Sequence, residues 1–237
     1  MEEKIFLARV AEQAERFEDM VGFLKEAIAL KQEDFTVDER NLLSVGFKNL
    51  IGSQRGAIRT IGAIEQNPKY AKFGGALGQY KKKIEKELYD NCISIVNTVK
   101  QQCLQVSSDD ESKAFFHKMI GDYYRYVAES ADASVLEEVK NGALEGYNQS
   151  MAHSASLNPC NPIRLGLALN FSVFHYEVLQ NKSKACELGE SALSDALEKI
   201  DDVDEETFRD AKSIIELLKE NLSLWKEEED DNAVEDL

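Results

Sequence analysis

The stretch NPIRLGLALNFSVF, residues 161–174, has both the start signal and the periodicity of a long helix. Asn161 is a favourable N-cap residue, and Pro162 fits the first helical turn, where its missing N–H is not needed. Apolar residues then recur at three- and four-residue spacing, which is the period of a helix and not of a strand. The pattern predicts a helix that continues to about residue 180.

The same spacing of apolar side chains runs through the rest of the chain, and no segment shows sustained alternation. Thr36 with Glu39, and Ser108 with Glu111, have the spacing of a capping box at a helix start. Only three prolines interrupt 237 residues, which favours long helices. Short connections between long helices predict antiparallel neighbours, so we expect an all-α fold of about nine helices, either a bundle or a curved stack of hairpins. The expected helices cover about residues 3–16, 19–31, 37–66, 74–104, 108–130, 132–155, 162–180, 181 onwards and 204–225. By length, they could form one large domain or two small ones.

The charge of the chain restricts its partners. A formal net charge of −16 arises from 28 Lys and Arg residues against 44 Asp and Glu residues. This negative field disfavours nucleic acid and anionic membrane surfaces as partners, because both would be repelled. The last residues, 227–237, combine many carboxylates with little apolar content, which predicts a disordered acidic tail.

The compartment follows from what the sequence lacks. No apolar run approaches the ~20 residues that cross a bilayer, and the acidic start has neither the basic nor the apolar region of a secretion signal. Four cysteines stand far apart without a CxxC pair, which is typical of thiols in a reducing compartment. We expect a cytoplasmic protein, with the nucleus open as a second location.

Signals of catalysis are weak. The three histidines are not spaced as metal ligands, so surface or packing roles are the simpler interpretation. The chain has no P-loop, no GxSxG motif and no dinucleotide fingerprint. We expect no enzyme activity, no bound metal and no cofactor.

Basic residues on two of the expected helices fall on particular faces. Lys48, Arg55 and Arg59 lie within a stripe about 40° wide, at 100° per residue. Lys118 and Arg125 repeat the seven-residue spacing of the first two. These charges either lie on solvated helix faces, which is the common case, or line a groove that binds phosphate. In a groove, the planar fork of arginine would orient the phosphate and lysine would add a point charge.

Two asparagines interrupt otherwise apolar helical stretches. Asn170 and Asn221 are either structural residues bonded to nearby backbone, or amides that hold the backbone of an extended peptide. The apolar neighbours allow two interpretations as well, since an amphipathic face is either core or the wall of a groove. Leu169 and Val173 share one such face, and Ile214, Leu217 and Leu224 share another.

The motifs around these residues resemble the 14-3-3 family over essentially the whole chain except the acidic tail. Several long motifs occur in the family's order, which makes the match specific. The motifs are AEQAER (11–16), ERNLLSV (39–45) continuing through Lys48 and Asn49, GDYYRY (121–126), PIRLGLALNFSVF (162–174) and NLSLW (221–225).

The resemblance implies a single domain of residues 1–226, in which nine antiparallel helices form a curved bundle with an amphipathic groove. It implies that this protomer dimerises through its first four helices, residues 1–104, into a W-shaped cup. It also implies a non-catalytic adaptor that binds phosphoserine or phosphothreonine in client proteins of signalling pathways. The resemblance also assigns roles by position. The phosphate would contact Lys48, Arg55, Arg125 and Tyr126, and the peptide backbone would contact Asn170 and Asn221. The groove would be lined by Lys118, Glu177 and Trp225, and its apolar wall would consist of Leu169, Val173, Ile214, Leu217 and Leu224.

Dimer positions are also implied by the resemblance. Arg16 and Asp19 match residues that pair across the interface with Glu87 and Lys83, and Tyr80 falls at an interface position. From the residues alone, Lys83 and Glu87 could equally form an i,i+4 pair within one helix. The expected partner is a second copy or a related chain.

The chain departs from the family pattern mostly away from the phosphate positions. Phe47 stands where tyrosine is usual, and Gln54 where a second arginine is common. Ala57 replaces a serine whose phosphorylation loosens the dimer in some members. Glu216 and Glu220 add negative charge near the groove, which should affect peptide preference and not phosphate binding.

Overall fold

The structure, a computed structural model, describes the backbone of residues 1–235 and the side chains of residues 1–227. Within that part the chain is all-α and contains no strand, which confirms the fold class predicted from the periodicity. The main helices are α1 (Glu2–Gln13), α2 (Phe17–Ala29), α3 (Val37–Glu65), α4 (Gly74–Thr98), α5 (Asp110–Ala128), α6 (Ala133–Ser154), α7 (Pro162–Val173), α8 (Lys182–Leu197) and α9 (Glu205–Glu235).

Two of these helices are extended by π-helical turns. The α4 helix continues through the π turn Val99–Cys103 into a short α-helical segment, Leu104–Val106, and α7 continues through the π turn Phe174–Val178. Short 3₁₀ helices, Pro68–Phe73 and Ile200–Asp202, connect α3 to α4 and α8 to α9. The order of the helices agrees with the sequence prediction throughout residues 1–235.

Helix starts follow the capping signals in most cases. Thr36 and Glu39 form the reciprocal box, with the Glu39 amide 3.2 Å from the Thr36 hydroxyl and the Thr36 amide 2.8 Å from the Glu39 carboxylate. The Asn161 side chain accepts from the Ile163 amide at 2.9 Å, so the start predicted for α7 is confirmed. Asn181 and Asp204, the residues at which the last two helices were expected to begin, also accept amide hydrogen bonds, from Lys184 and Thr207.

The capping box predicted at Ser108 and Glu111 is wrong. The N-cap of α5 is Asp109, whose side chain accepts from the Ser112 amide at 2.7 Å. Ser108 instead donates its amide to Asp34 at 2.6 Å, which holds the chain before α5 against the loop before α3. A residue that is far away in sequence therefore took the hydrogen bond that the local pattern assigned to the cap.

The last helix is longer than predicted. The α9 helix runs to Glu235, ten residues beyond the end expected at Trp225, so its backbone continues into the segment predicted as a disordered tail. The side chains of residues 228–237 and the backbone of 236–237 lie outside the described residues.

The buried apolar side chains of the described residues form four clusters. Helices α1 to α6 contribute to the largest of them, and α7, α8 and α9 enclose another. The α6 helix joins them, because the fully buried Tyr147 stacks on Phe171 of α7 at 5.0 Å between ring centroids. No helix in the described part of the chain is both long enough and apolar enough to cross a membrane.

Helices α5 and α6 approach each other closely through glycine. A Cβ atom on Gly146 would lie 2.7 Å from the backbone nitrogen of Gly121, which is closer than real Cβ contacts. A Cβ on Gly121 would in turn meet the Tyr147 ring at 2.7 Å. This contact places the Tyr147 hydroxyl beside the polar residues of α5.

Candidate functional site

Two arginines from different helices meet on one aromatic ring. The guanidinium carbons of Arg55 on α3 and Arg125 on α5 lie 4.0 Å and 4.6 Å from the ring centroid of Tyr126. The Arg125 residue is only 7% exposed, whereas the Arg55 side chain is 24% exposed at the edge of the cluster. The seven-residue spacing within each helix thus places charges from both helices side by side.

Glu129 holds the two arginines together. Its carboxylate accepts from Arg55 Nε at 3.2 Å, from Arg55 Nη2 at 2.9 Å and from Arg125 Nη1 at 2.9 Å. Burial alone would lower the pKa of Arg125, but the nearby Tyr147, Asp122, Tyr126 and Glu129 groups raise it above its ordinary value. The arginine therefore stays charged although it is buried.

Lys48 lines a cavity beside this cluster. The cavity has a volume of about 250 Å³, and Lys48 is an exposed side chain with no hydrogen bond or ion pair to any described side chain. Burial, together with the negative charge of Asp122, raises the pKa of Tyr126 to about 12, so its hydroxyl remains a donor at neutral pH. The lining residues are Ser44 and Lys48 of α3, Phe115, Lys118, Met119, Asp122, Tyr123 and Tyr126 of α5, and Asn170 of α7.

The floor of the cavity is a hydrogen-bonded network around Asp122. Lys118 Nζ lies 2.7 Å from Asp122 Oδ2, and Asn170 Nδ2 lies 2.8 Å from Asp122 Oδ1. Tyr147 donates its hydroxyl to Asp122 Oδ1 at 2.8 Å and accepts from Arg125 Nε at 3.1 Å. The amide of Asn170 is thus bonded to a side chain and not to nearby backbone, which neither interpretation from the sequence anticipated.

Sequence reasoning missed three residues of this network. Asp122 and Glu129 each lie four residues after a basic residue of α5, and this i,i+4 spacing was a signal that could have identified them. Tyr147 lies on another helix and has no such local signal.

The α9 side of the groove is more open. Leu217 and Leu224 are 48% and 58% exposed, while Trp225 is 7% exposed and stacks on Tyr176 at 4.7 Å. Asn221 is half-buried, and its side chain makes no hydrogen bond to the described residues. The remaining predicted wall residues, Leu169, Val173 and Ile214, are half-buried and pack against the cores around α8 and α9.

Glu177 lies in the π turn that follows α7. Partial burial raises the pKa of the Glu177 carboxyl above its ordinary value. The positive charges of Arg125 and Arg55 lower this pKa, and the negative charge of Glu129 raises it, with a net increase. Glu177 therefore belongs to the electrostatic surroundings of the arginine pair. Arg59, which shares the stripe with Lys48, is exposed and outside the lining of the cavity.

Four of the five residues predicted at a dimer interface form pairs within the single chain. Arg16 bonds to Asp19, and Lys83 Nζ lies 3.9 Å from Glu87. Tyr80 is 57% exposed on α4. All five side chains therefore lie at the surface, where a second chain could reach them.

Comparison with known proteins defines the class of this helical fold. The family model described as "14-3-3 protein" matches residues 7–226. The chain is 42% identical to 14-3-3 protein 2 of Entamoeba histolytica over 228 residues, covering 94% of this chain and 95% of that protein. It is 40% identical to 14-3-3 protein 2 of Solanum lycopersicum over 245 residues, covering 100% and 95%, and 41% identical to the checkpoint signal transducer rad25 of Schizosaccharomyces pombe over 228 residues, covering 94% and 84%. The chain belongs to the 14-3-3 family, whose members are phosphopeptide-binding adaptor and regulator proteins.

Proposed function

We propose that this chain binds phosphoserine or phosphothreonine in an extended segment of a client protein, and that it regulates the client without doing chemistry on it. The observation that carries the proposal is the convergence of Arg55 and Arg125 on the Tyr126 ring, beside a cavity that Lys48 lines. A cluster of cations is unusual in a chain with a net charge of −16. The surrounding negative field would repel long polyanions and admit a single phosphate on a peptide.

The arginine pair keeps donors for a phosphate even while Glu129 is bound. Arg55 Nη1 and Arg125 Nη2 make no hydrogen bond to the described residues, so each guanidinium retains a side that can face an anion. The Lys48 ammonium and the Tyr126 hydroxyl supply further donors. A phosphate with three acceptor oxygens can use all of them, and such charge-assisted bonds are the strong ones.

The rest of the groove suits an extended peptide. Asn170 and Asn221 would hydrogen-bond the peptide backbone on either side of the phosphorylated residue, and Lys118 and Glu177 would line its path. Leu217 and Leu224, both exposed, would pack against apolar side chains of the client. Leu169, Val173 and Ile214 would complete this wall, with Trp225 behind it.

We also propose that the chain acts as a dimer, with itself or with a related chain, in the cytoplasm. Arg16 and Asp19 would exchange their internal bond for pairs with Glu87 and Lys83 of the second chain. A dimer presents two grooves, so two phosphosites on one client would bind at an effective concentration of order mM.

The test is a matched pair of peptides, one phosphorylated and one not, titrated by fluorescence anisotropy. We expect Lys48→Glu to fold normally and to lose at least about 10-fold in affinity for the phosphorylated peptide, because a charge-assisted donor is replaced by a repelling carboxylate. Lys69→Glu is the matched control, because Lys69 is exposed on the Pro68–Phe73 segment and outside the cavity. Wild-type affinity in Lys48→Glu would refute the site assignment.

The exposed leucines of α9 favour a second candidate, a groove for unphosphorylated amphipathic helices. That function depends on the apolar wall and not on the arginine pair. Equal affinity for the two peptides of the matched pair would support it and would exclude phosphate recognition.

A further inference from the structure

Asp122 is a buried carboxylate that accepts hydrogen bonds from three side chains around the groove. It is only 6% exposed and lies on α5, one turn before Arg125. Its Oδ1 atom accepts from the Tyr147 hydroxyl and from Asn170 Nδ2, each at 2.8 Å, and its Oδ2 atom accepts from Lys118 Nζ at 2.7 Å. These partners lie on α6, α7 and α5, so one carboxylate joins three helices.

The carboxylate determines the direction of the Tyr147 hydrogen bonds. A tyrosine hydroxyl has one proton, and an ionised carboxylate only accepts, so the Tyr147 proton must face Asp122. The lone pairs of the hydroxyl are then left for Arg125 Nε, which lies 3.1 Å away. Burial raises the pKa of Tyr147 well above its ordinary value, and the charge of Asp122 raises it further, so the hydroxyl keeps its proton. Asp122 thereby holds one side of the Arg125 guanidinium in place.

The same carboxylate fixes the orientation of the Asn170 amide. Because Asp122 accepts only, the amide must present its NH₂ group to Oδ1. The side-chain oxygen of Asn170, Oδ1, is then directed away from Asp122, and it makes no hydrogen bond to the described residues. An oxygen in this state can accept an N–H from the backbone of a bound peptide.

We propose that Asp122 is a positioning residue that sets the hydrogen-bond direction of Arg125, Asn170 and Lys118, and so couples the phosphate position to the peptide-backbone position. The inference rests on the function proposed above, since it concerns the same groove. Asp122 need not touch the ligand, because it acts through Tyr147, Asn170 and Lys118.

Whether the neutralisation of Asp122 weakens or tightens binding of the phosphorylated peptide separates a positioning role from a purely electrostatic one. As a negative charge near the phosphate position, Asp122 opposes phosphate binding, so its neutralisation should tighten binding if charge alone matters. A positioning role predicts the opposite, because the donors and the amide lose their fixed orientation.

Three variants give a graded test by anisotropy titration with the phosphorylated peptide. Asp122→Asn keeps one oxygen for Tyr147 and Asn170 but turns its amide toward Lys118, so we expect roughly a 3-fold loss of affinity. Asp122→Leu is close in size and accepts nothing, so we expect a loss of at least about 10-fold. Asp90→Asn removes the same charge from an exposed ion pair on α4 and should stay within about twofold of the wild type. Equal or tighter binding by the folded Asp122→Asn variant would overturn the inference.

A second measurement uses the free protein and needs no ligand. The ¹⁵N resonance of Arg125 Nε–Hε reports its hydrogen bond to Tyr147, and it should shift in Asp122→Leu and in Tyr147→Phe but not in Asp90→Asn. An unchanged resonance in Asp122→Leu would also overturn the inference. If the wild type does not distinguish the phosphorylated from the unphosphorylated peptide, the proposed function fails, whereas the resonance still tests the positioning role.

Discussion

At the scale of single residues, the groove depends on charges that are buried together with their partners. Arg125 is almost fully buried and remains charged because Glu129 and the Tyr147–Asp122 pair surround it. An uncompensated charge at that depth would cost several kcal/mol, so the carboxylates are part of the proposed binding site and not incidental neighbours. The family resemblance identified the cations, whereas their acidic partners became evident only in the structure.

Asp34 supplies a prediction at this scale for the dependence of stability on pH. Partial burial would raise the pKa of Asp34, but hydrogen bonds from Ser112, Ser108 and the Phe35 amide outweigh this effect and lower it from 3.8 to about 2. Because the pKa of Asp34 is lower in the folded than in the unfolded state, the ionised carboxylate stabilises the fold at pH values above the unfolded pKa. This stabilisation is lost as the pH falls from about 4 to 2. We expect Asp34→Asn to lower the free energy of unfolding by about 1–2 kcal/mol at pH 7, after allowance for solvent screening.

The measurement is urea unfolding of the wild type and of Asp34→Asn at several pH values. The difference between the two proteins should shrink between about pH 4 and pH 2. A difference that stays constant over this range would show that the charge of Asp34 is not the cause.

At the scale of the elements, local capping residues determine where helices begin, and close packing determines how two helices lie against each other. The Thr36–Glu39 capping box and the Asn161 cap determine where α3 and α7 begin, because each bond joins residues two or three apart. The relative position of α5 and α6 depends instead on Gly121 and Gly146, which allow the two backbones to approach. That approach places Tyr147 beside Asp122 and Arg125.

Gly146→Ala should therefore destabilise the protein. The added Cβ would lie 2.7 Å from the backbone nitrogen of Gly121, and a backbone atom cannot move aside as a flexible side chain can. We expect a loss of about 1–3 kcal/mol in the free energy of unfolding, measured by urea titration. The control is Gly52→Ala in α3, where the Cβ meets nothing within 4 Å and the better helix propensity should add about 0.5–1 kcal/mol. A neutral effect of Gly146→Ala would contradict the close approach.

At the scale of the whole molecule, an acidic surface surrounds a small basic cluster. The chain carries a net charge of −16, yet Lys48, Arg55 and Arg125 converge near Tyr126. Long-range repulsion of polyanions and short-range attraction of one phosphate can coexist, because screening limits the first to about 8 Å at physiological ionic strength. Two such grooves in a dimer would add avidity for clients with two phosphosites.

Charge reversal tests the proposed dimer. We expect Lys83→Glu to weaken association, because it would place a carboxylate opposite Asp19 of the second chain. The double variant Lys83→Glu with Asp19→Lys should restore association, since the pair is rebuilt with the charges exchanged. Sedimentation at several protein concentrations measures the association. Lys86→Glu is the control, because Lys86 faces the cavity between α4 and the start of α6. Failure of the double variant to recover would count against this pair of contacts.

Much of the fold could be predicted from local pattern, and the candidate site only in part. Apolar spacing, proline scarcity and capping residues act over three or four positions, so they predicted the helices and most of their starts. The predicted start at Ser108 was wrong because Asp34, 74 residues away, takes its hydrogen bond. The predicted end at Trp225 was too early, since acidic residues that cannot pack can still extend a helix that is already formed.

The partners of the site residues were decided by tertiary structure. Arg55 and Glu129 are 74 residues apart, Asn170 and Asp122 are 48 apart, and Tyr147 and Asp122 are 25 apart. Such pairs depend on how α3, α5, α6 and α7 cross, and the crossing depends on packing contacts such as the one between Gly146 and Gly121. Periodicity along one helix shows which residues share a face. Only the packed helices show which side chains of other helices bond to that face, because these partners are far apart in sequence.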